Sequence, residues 1–305
     1  MSRAPAAAAR PAPNPTTVLS LVQHMAQRLA DSGVAFGHGT TNAFDESAWL
    51  TLWQLGLPLH SLEEFAQNCV SAEQARAVQA LMERRIQTRQ PAAYLTGEAW
   101  LQGVPFEVDA RVIVPRSLIA EPLADGTLDV WLGDHTRRVL DLCTGNGSLA
   151  VLAALAWPDV VVDASDLSAD ALTVAQRNVH RHGLGERISL HLGDGLAAVS
   201  GRYDLILCNP PYVNQQSMRA LPPEFLAEPR IALDGNTSGG QDGMDFIRPL
   251  LAHARQHLNP GGVLVLEVGH ERPHFEAAFP RLAATWLPTS AGDDQVLLLT
   301  QDQLP

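Results

Sequence analysis

The stretch RVLDLCTGNGS at residues 138–148 passes from an apolar run directly into a glycine-rich turn. Val139, Leu140 and Leu142 have the pattern of a buried strand, and Ser148–Ala156 reads as the helix that follows. Between them, Gly145 and Gly147 allow a tight strand-to-helix turn and a close approach of backbone to ligand. The spacing Gly145-x-Gly147-x-x-Ala150 satisfies a loose dinucleotide fingerprint, so the loop alone does not separate NAD from S-adenosylmethionine. Asp141 separates them. A carboxylate at that point can face the ammonium of a methionine group, whereas it would repel a pyrophosphate.

Further along, Val160–Ser165 reads as a second strand, ending in Asp166 about 20 residues beyond the glycines, where an acid can accept hydrogen bonds from both ribose hydroxyls. A third acid, Asp194, follows strand Ile188–Leu192 inside Gly193-Asp194-Gly195, near where an adenine amino group would lie. The sharpest signal comes after strand Tyr203–Cys208, in Asn209-Pro210-Pro211-Tyr212. Paired prolines restrict φ and donate no N–H, so this corner presents carbonyl oxygens with little freedom. The Asn209 side-chain oxygen and the Pro210 carbonyl together can accept both N–H groups of an amide or aromatic amine. Tyr212 is expected to line the pocket of that planar group.

Strand Val263–Val268, helices Ser168–His182 and Gly243–Leu258, and a short piece after Gly195 complete an alternating pattern, with Thr285–Leu287 and Gln295–Thr300 as a final hairpin. Pro249 is expected to kink the Gly243–Leu258 helix or mark its first turn. Such alternation implies an α/β fold with a parallel sheet covered on both faces. Upstream, Thr17–Asp31, Ser47–Leu57 and a long helix opened by the capping box Ser71–Gln74 carry apolar stripes of the core-packing kind. Glu98–Leu101 and Pro105–Val108, joined through Gln102-Gly103, read as a β-hairpin. The organisation expected is therefore a disordered Ala/Pro-rich tail (1–15), a helical domain (16–96), a β-hairpin linker (97–124) and the α/β domain (125–305).

The formal net charge is -12, from 33 acidic and 21 basic side chains, and no Lys/Arg tract is available to neutralise a nucleic-acid backbone. Sequence-specific nucleic-acid binding is not expected; a basic protein partner is electrostatically easier. No apolar run spans a membrane. Three scattered cysteines, Cys69, Cys143 and Cys208, suit a reduced cytoplasmic compartment, and the 11 histidines show no metal-ligand spacing, so no metal is expected. Cys143 and Cys208 read as small buried hydrophobes at neighbouring strand ends. His38, Arg116, Glu224 and Glu228 read as solvated side chains. The long Pro- and Gly-rich stretch from Tyr212 to Gly240 reads as a substrate-binding lid.

With these segments in hand, the sequence resembles the protein-glutamine methyltransferases. The match is closer to the PrmB-type branch, which methylates the N5 nitrogen of a glutamine in large-subunit ribosomal protein L-three. Gly37-His38-Gly39-Thr40, Pro91-Ala92-Ala93-Tyr94-Leu95-Thr96, Val114-Pro115-Arg116-Ser117, Asp141–Gly145 and Glu267-Val268-Gly269 carry that likeness, which runs from about Thr17 to Leu299. The sister branch, acting on peptide chain release factors, typically has Gly where Cys143 stands and Pro-Asp-Thr after the linker arginine. Here that arginine is followed by Ser117-Leu118-Ile119. Asn146 departs from the Ser or Thr common in such loops.

The resemblance implies a class I, Rossmann-like, seven-stranded methyltransferase domain with its last strand antiparallel, preceded by a helical domain that helps select the protein substrate. S-adenosyl-L-methionine would be held by Asp141, Cys143, Thr144, Gly145, Asn146, Gly147, Asp166, Asp194 and Asn209. Asn209, Pro210, Pro211 and Tyr212 would form the catalytic corner. Three rivals remain on the residues alone: a nucleic-acid adenine methyltransferase using a similar corner on a flipped base, an NAD-binding oxidoreductase, and a cofactor-binding scaffold for ribosome assembly.

Overall fold

The computed structural model describes residues 16–133 and 135–305; the expected tail lies outside them. Two compact units emerge, one formed by residues 16–34 with Thr40–Thr88, the other by Ala35–Gly39 with Arg89–Pro305.

The first unit is helical, with helices Val18–Asp31, Ala43–Gln54, Leu62–Phe65 and Ala72–Thr88. Thr17 caps the first helix through Ser20, and Ser71 and Gln74 exchange side-chain bonds at the start of the last. Val18, Leu21, Val22, Met25 and Leu29 form the buried face of the first helix. The second helix begins at Ala43 rather than Ser47, because the Asn42 side chain accepts the Asp45 N–H (2.9 Å) and provides an earlier cap. Of its expected stripe, Leu50 is buried whereas Trp53 is exposed. The buried charge of this unit is matched internally, Arg85 Nε donating to Glu46 Oε1 at 2.8 Å.

The second unit opens with the hairpin β1 (Glu98–Leu101) and β2 (Val104–Glu107). Gln102 and Gly103 both have positive φ (49° and 75°), the twist that a two-residue hairpin turn requires. The main sheet follows: β3 (Arg138–Leu142), β4 (Val161–Asp166), β5 (Ile188–Leu192), β6 (Tyr203–Cys208), β7 (Leu258–Glu267), β8 (Thr285–Thr289) and β9 (Gly292–Thr300). Their spatial order is β5-β4-β3-β6-β7-β9-β8. The first five are parallel, and β9 runs antiparallel to both β7 and β8. This is the seven-stranded class I arrangement that the resemblance implied.

Apolar side chains fill both faces of the sheet. Val139, Val162, Leu205 and Val265 pack on one side, and Leu140, Ile206, Leu264 and Leu297 on the other. The chain order reverses at β3, which lies between β4 and β6, so the crossovers diverge there and leave a crevice at the strands' carboxyl ends.

Two expected elements differ. The Gly243–Leu258 helix shrinks to Ile247–Ala254 plus a turn at Arg255–His257. Residues before it are drawn into a loop, where Asp245 accepts the N–H groups of Ser238 (2.6 Å) and Gly240 (3.0 Å). Pro249 falls in the first turn of the shortened helix, where its missing N–H costs nothing. The stretch after Tyr212, where no helix was expected, contains the short helical segments Gln215–Ala220, Pro223–Leu226 and Arg230–Ala232.

Candidate active site

At the end of β3 the backbone enters left-handed conformations at Cys143 (φ 61°), Gly145 (φ 56°) and Gly147 (φ 81°). Glycine accepts this without cost, whereas Cys143 is strained there. A Cβ added at Gly147 would press on Ala175 at 3.2 Å, so this glycine lets two helices pack closely. One added at Gly145 would meet no protein atom within 4 Å.

Asp141 organises the loop from behind. It is 1% exposed, and its Oδ2 accepts from Thr144 Oγ1 (2.5 Å) and from the Ala150 N–H (3.0 Å). Its other oxygen is buried without a hydrogen-bond partner among the described residues. Burial pushes its pKa up to about 7, the bonds from Thr144 and Ala150 opposing the shift. Asn146 Oδ1 accepts the Ser148 N–H, and its main-chain carbonyl accepts from the buried Asn178, which also bonds both backbone groups of Glu107 in the hairpin.

Asp166, ending β4, accepts the Gly145 N–H (2.9 Å) and the Ser168 N–H (2.8 Å). Burial raises its pKa against those bonds. Asp194 is exposed in the turn after β5.

Asn209 follows β6, whose Cys208 is paired with Leu142 of β3, so the corner stands beside the glycine loop. Cys143 and Cys208 are both free thiols, and hydrogen bonding to Cys208 first, then burial, pushes the Cys143 pKa well up. Pro210 is buried, and Asn209 and Pro211 are half-buried. The Tyr212 ring lies against Gly269, where an added Cβ would come within 2.6 Å of it, and its hydroxyl donates to Glu267 Oε1 (3.1 Å). Burial, then the Glu267 charge, raises the Tyr212 pKa far above its usual value.

These elements surround a cavity of about 300 Å³. Cys143, Gly145, Asp166, Asp194, Asn209 and Pro211 all line it. Asp141, Thr144, Asn146, Gly147, Pro210 and Tyr212 stand behind this lining and support it. Two further walls come from outside the sheet: Arg111–Ile113 of the linker, and Pro229, Ile231, Ala232, Thr237 and Ser238 of the stretch after the corner. A cavity of this size is in the small-molecule range. The unpartnered Asp141 oxygen and the room at Gly145 fit a ligand with a cationic amine, as S-adenosylmethionine has.

The walls overturn the reading of several side chains as solvated. Glu228 is 4% exposed and accepts from Arg116 Nη1 and Nη2 (2.6 and 2.7 Å) and from the Val114 N–H (2.8 Å). His38 is buried, 3.5 Å from the same carboxylate and packed against Phe225 with ring centroids 4.3 Å apart and planes tilted by 49°. Although burial opposes it, the Arg116 charge and His38 bring the Glu228 pKa down to about 2. Glu224 is likewise buried, bonded by Arg89 at 2.5 and 3.0 Å. Glu228 thus joins the two non-sheet walls, since Val114 follows Ile113 and Pro229 follows Glu228.

The Methyltransferase small domain family matches residues 127–241. A ribosomal protein uL3 glutamine methyltransferase of Bordetella pertussis is 52% identical over 94% of this chain and 96% of its own. Proteins of the same description from Burkholderia pseudomallei and Neisseria meningitidis are 50% and 46% identical, each over 95% of this chain and at least 94% of their own. The chain belongs to the ribosomal protein uL3 glutamine methyltransferases.

Membership in this family gives the Glu267-Val268-Gly269 segment a setting. Sequence reasoning singled it out only through likeness. In the structure Glu267 is 4% exposed and also accepts from Ser117 Oγ (2.6 Å) and the Leu118 N–H (2.9 Å); burial raises its pKa, against those bonds. Among the described residues no group of three or more His, Cys, Asp or Glu could hold a metal ion, and no helix is long and apolar enough to cross a membrane.

Proposed function

We propose that this protein transfers a methyl group from S-adenosyl-L-methionine to the side-chain amide nitrogen of a glutamine in ribosomal protein uL3, working in the cytoplasm where ribosomal proteins are made. The observation that carries the reading is the position of Asn209: it lines the same cavity as Gly145, Asp166 and Asp194. The cofactor supplies an electrophilic methyl carbon on a sulfonium.

Asp141, Cys143, Thr144, Gly145, Asn146, Gly147, Asp166 and Asp194 hold the cofactor: Asp141 answers its ammonium, Asp166 its ribose and Asp194 its adenine. Asn209 Oδ1 and the Pro210 carbonyl accept the two amide N–H groups and so orient the nitrogen; Pro211 and Tyr212 stiffen the corner that carries them. Holding two reacting groups in line is most of what such a transfer demands. No general base is needed beforehand, because the amide proton becomes acidic only after the nitrogen carries the methyl. The helical unit selects the protein substrate, and the enzyme's -12 charge favours encounter with a basic ribosomal protein.

Asn209→Ala tests the reading. Methylation of uL3, followed by labelled methyl and located by mass spectrometry, is expected to fall about 100-fold or more, the scale of losing a key transition-state contact, with cofactor affinity nearly kept. Near-normal transfer by this variant would remove the proposed role of the corner. Label on release factors or on nucleic acid instead of uL3 would redirect the substrate assignment.

A further inference from the structure

The residues that present the amide acceptors are few, and what keeps them in place lies on another strand. Cys208 at the end of β6 is paired with Leu266 of β7, so Asn209 and Glu267 leave the sheet side by side. After Glu267 the chain makes a tight turn at Gly269–Glu271, with Gly269 at φ +52°.

The end of β7 and this turn touch the corner and the residues just after it three times. Glu267 Oε1 takes the Tyr212 hydroxyl at 3.1 Å, while its Oε2 is committed to Ser117 and Leu118. Gly269 receives the Tyr212 ring, with no space for a side chain. Glu271 accepts from the Asn214 N–H at 3.2 Å and from Asn214 Nδ2 at 2.9 and 2.7 Å. Across the corner, Gly243 packs so closely on the Tyr212 carbonyl that an added Cβ would come within 2.0 Å of it. Both glutamates are buried, as is Asn214.

A buried carboxylate needs a compensating set of donors, and here the donors include the two residues that bracket Val213. Prolines stiffen the corner internally but leave its orientation relative to the sheet open. Three contacts from this strand end and turn close that freedom. We infer that Glu267 and Glu271 are positioning residues for methyl transfer, which clamp Tyr212 and Asn214 so that Asn209 and Pro210 hold the amide at a fixed angle. The inference rests on the proposed role of the corner. Because Glu267 also holds Ser117 and Leu118, the clamp fixes the linker to the same point.

A double-mutant cycle tests it. Tyr212→Phe, Glu267→Gln and the double variant are assayed for kcat and KM on purified uL3, with cofactor Kd from calorimetry. Each single variant is expected to lower kcat about 10- to 100-fold, the scale of a small misplacement of reacting groups, at unchanged cofactor Kd. The double variant is expected to match Glu267→Gln alone, since once the Tyr212–Glu267 bond has lost its charge and its anchored acceptor, removing the hydroxyl takes away little more. Effects that multiply, or a loss that falls on cofactor Kd rather than kcat, would overturn the clamp. Should Glu267→Gln fail to fold, Glu271→Gln with Asn214→Ala makes the equivalent cycle at the other end, judged by the same outcomes. Asn209→Ala runs alongside. If that variant stays active the corner reading itself fails, whereas an inactive Asn209→Ala with a multiplying cycle sinks only the clamp.

Discussion

Asp141 behind the glycine loop and Glu228 behind the loop walls are both buried carboxylates, and their surroundings push their pKa values in opposite directions. Glu228 has a full set of donors from Arg116 and Val114, with His38 close by, and its pKa is about 2. Asp141 receives one hydroxyl and one backbone N–H, keeps an oxygen without a partner among the described residues, and has its pKa pushed up to about 7. The first pattern belongs to a joint: both carboxylate oxygens are used to tie segments together. The second leaves an electrostatic debt that a cationic ligand can settle, and it lies behind the glycine loop.

The largest effect should come from breaking the joint. Glu228→Gln leaves the Arg116 guanidinium, only 26% exposed, without its counter-charge, and should cost about 3 kcal/mol of stability. Urea unfolding measures this as a lower midpoint at unchanged m-value. A cost below about 1 kcal/mol would place Glu228 with ordinary surface pairs and dissolve the contrast.

Asp141→Asn should behave differently. The amide oxygen still accepts from Thr144 and Ala150, so the unliganded fold is retained, but cofactor Kd should weaken about 10-fold or more through loss of one charge-assisted bond. Calorimetry on folded protein reads this directly, and a stability loss like that of Glu228→Gln would contradict the distinction.

The two carboxylates also predict opposite responses to pH. Asp141 holds its proton more tightly in the folded chain than its ordinary 3.8, so its contribution is present below about pH 4 and lost as pH rises toward 7. Glu228 is depressed from 4.5, so its contribution is present above that value and lost as pH falls toward 2. Unfolding free energies of the wild type and Asp141→Asn, measured from pH 4 to 8, should diverge toward high pH, with the variant losing less. Parallel curves would remove the charge on Asp141 from the account.

The smallest effect is expected at Arg111, which also lines the cavity. Its ion pair with Asp109 is 32% and 39% exposed on the two sides, and Arg111→Ala should change stability by less than about 1 kcal/mol. A larger loss would mean that the linker wall depends on this pair as well as on Glu228.

The cofactor half was legible because its determinants are local. Gly145 and Gly147 have positive φ for reasons inherent in a tight turn, and Asp166 follows its strand at a spacing set by one helix and one strand. The joint was not legible. Glu228 and Arg116 are separated by 112 residues, and no periodicity connects them. His38 sits in a loop whose sequence resembles any solvated Gly-rich turn, and only its packing on Phe225 makes it interior. Expectations near element ends erred for a related reason: Asn42 capped a helix early, and Asp245 drew residues before Ile247 into loop hydrogen bonds.

By itself the sequence determined the alternating sheet, the glycine turn, the acids that follow its strands and the rigid proline corner. Each of these depends on backbone sterics and short-range pattern, which neighbouring residues dictate. Tertiary structure alone decided which carboxylates are buried, which of them are satisfied, and which turn grips the corner. Desolvation and hydrogen-bond completion depend on segments brought together only when the chain has folded.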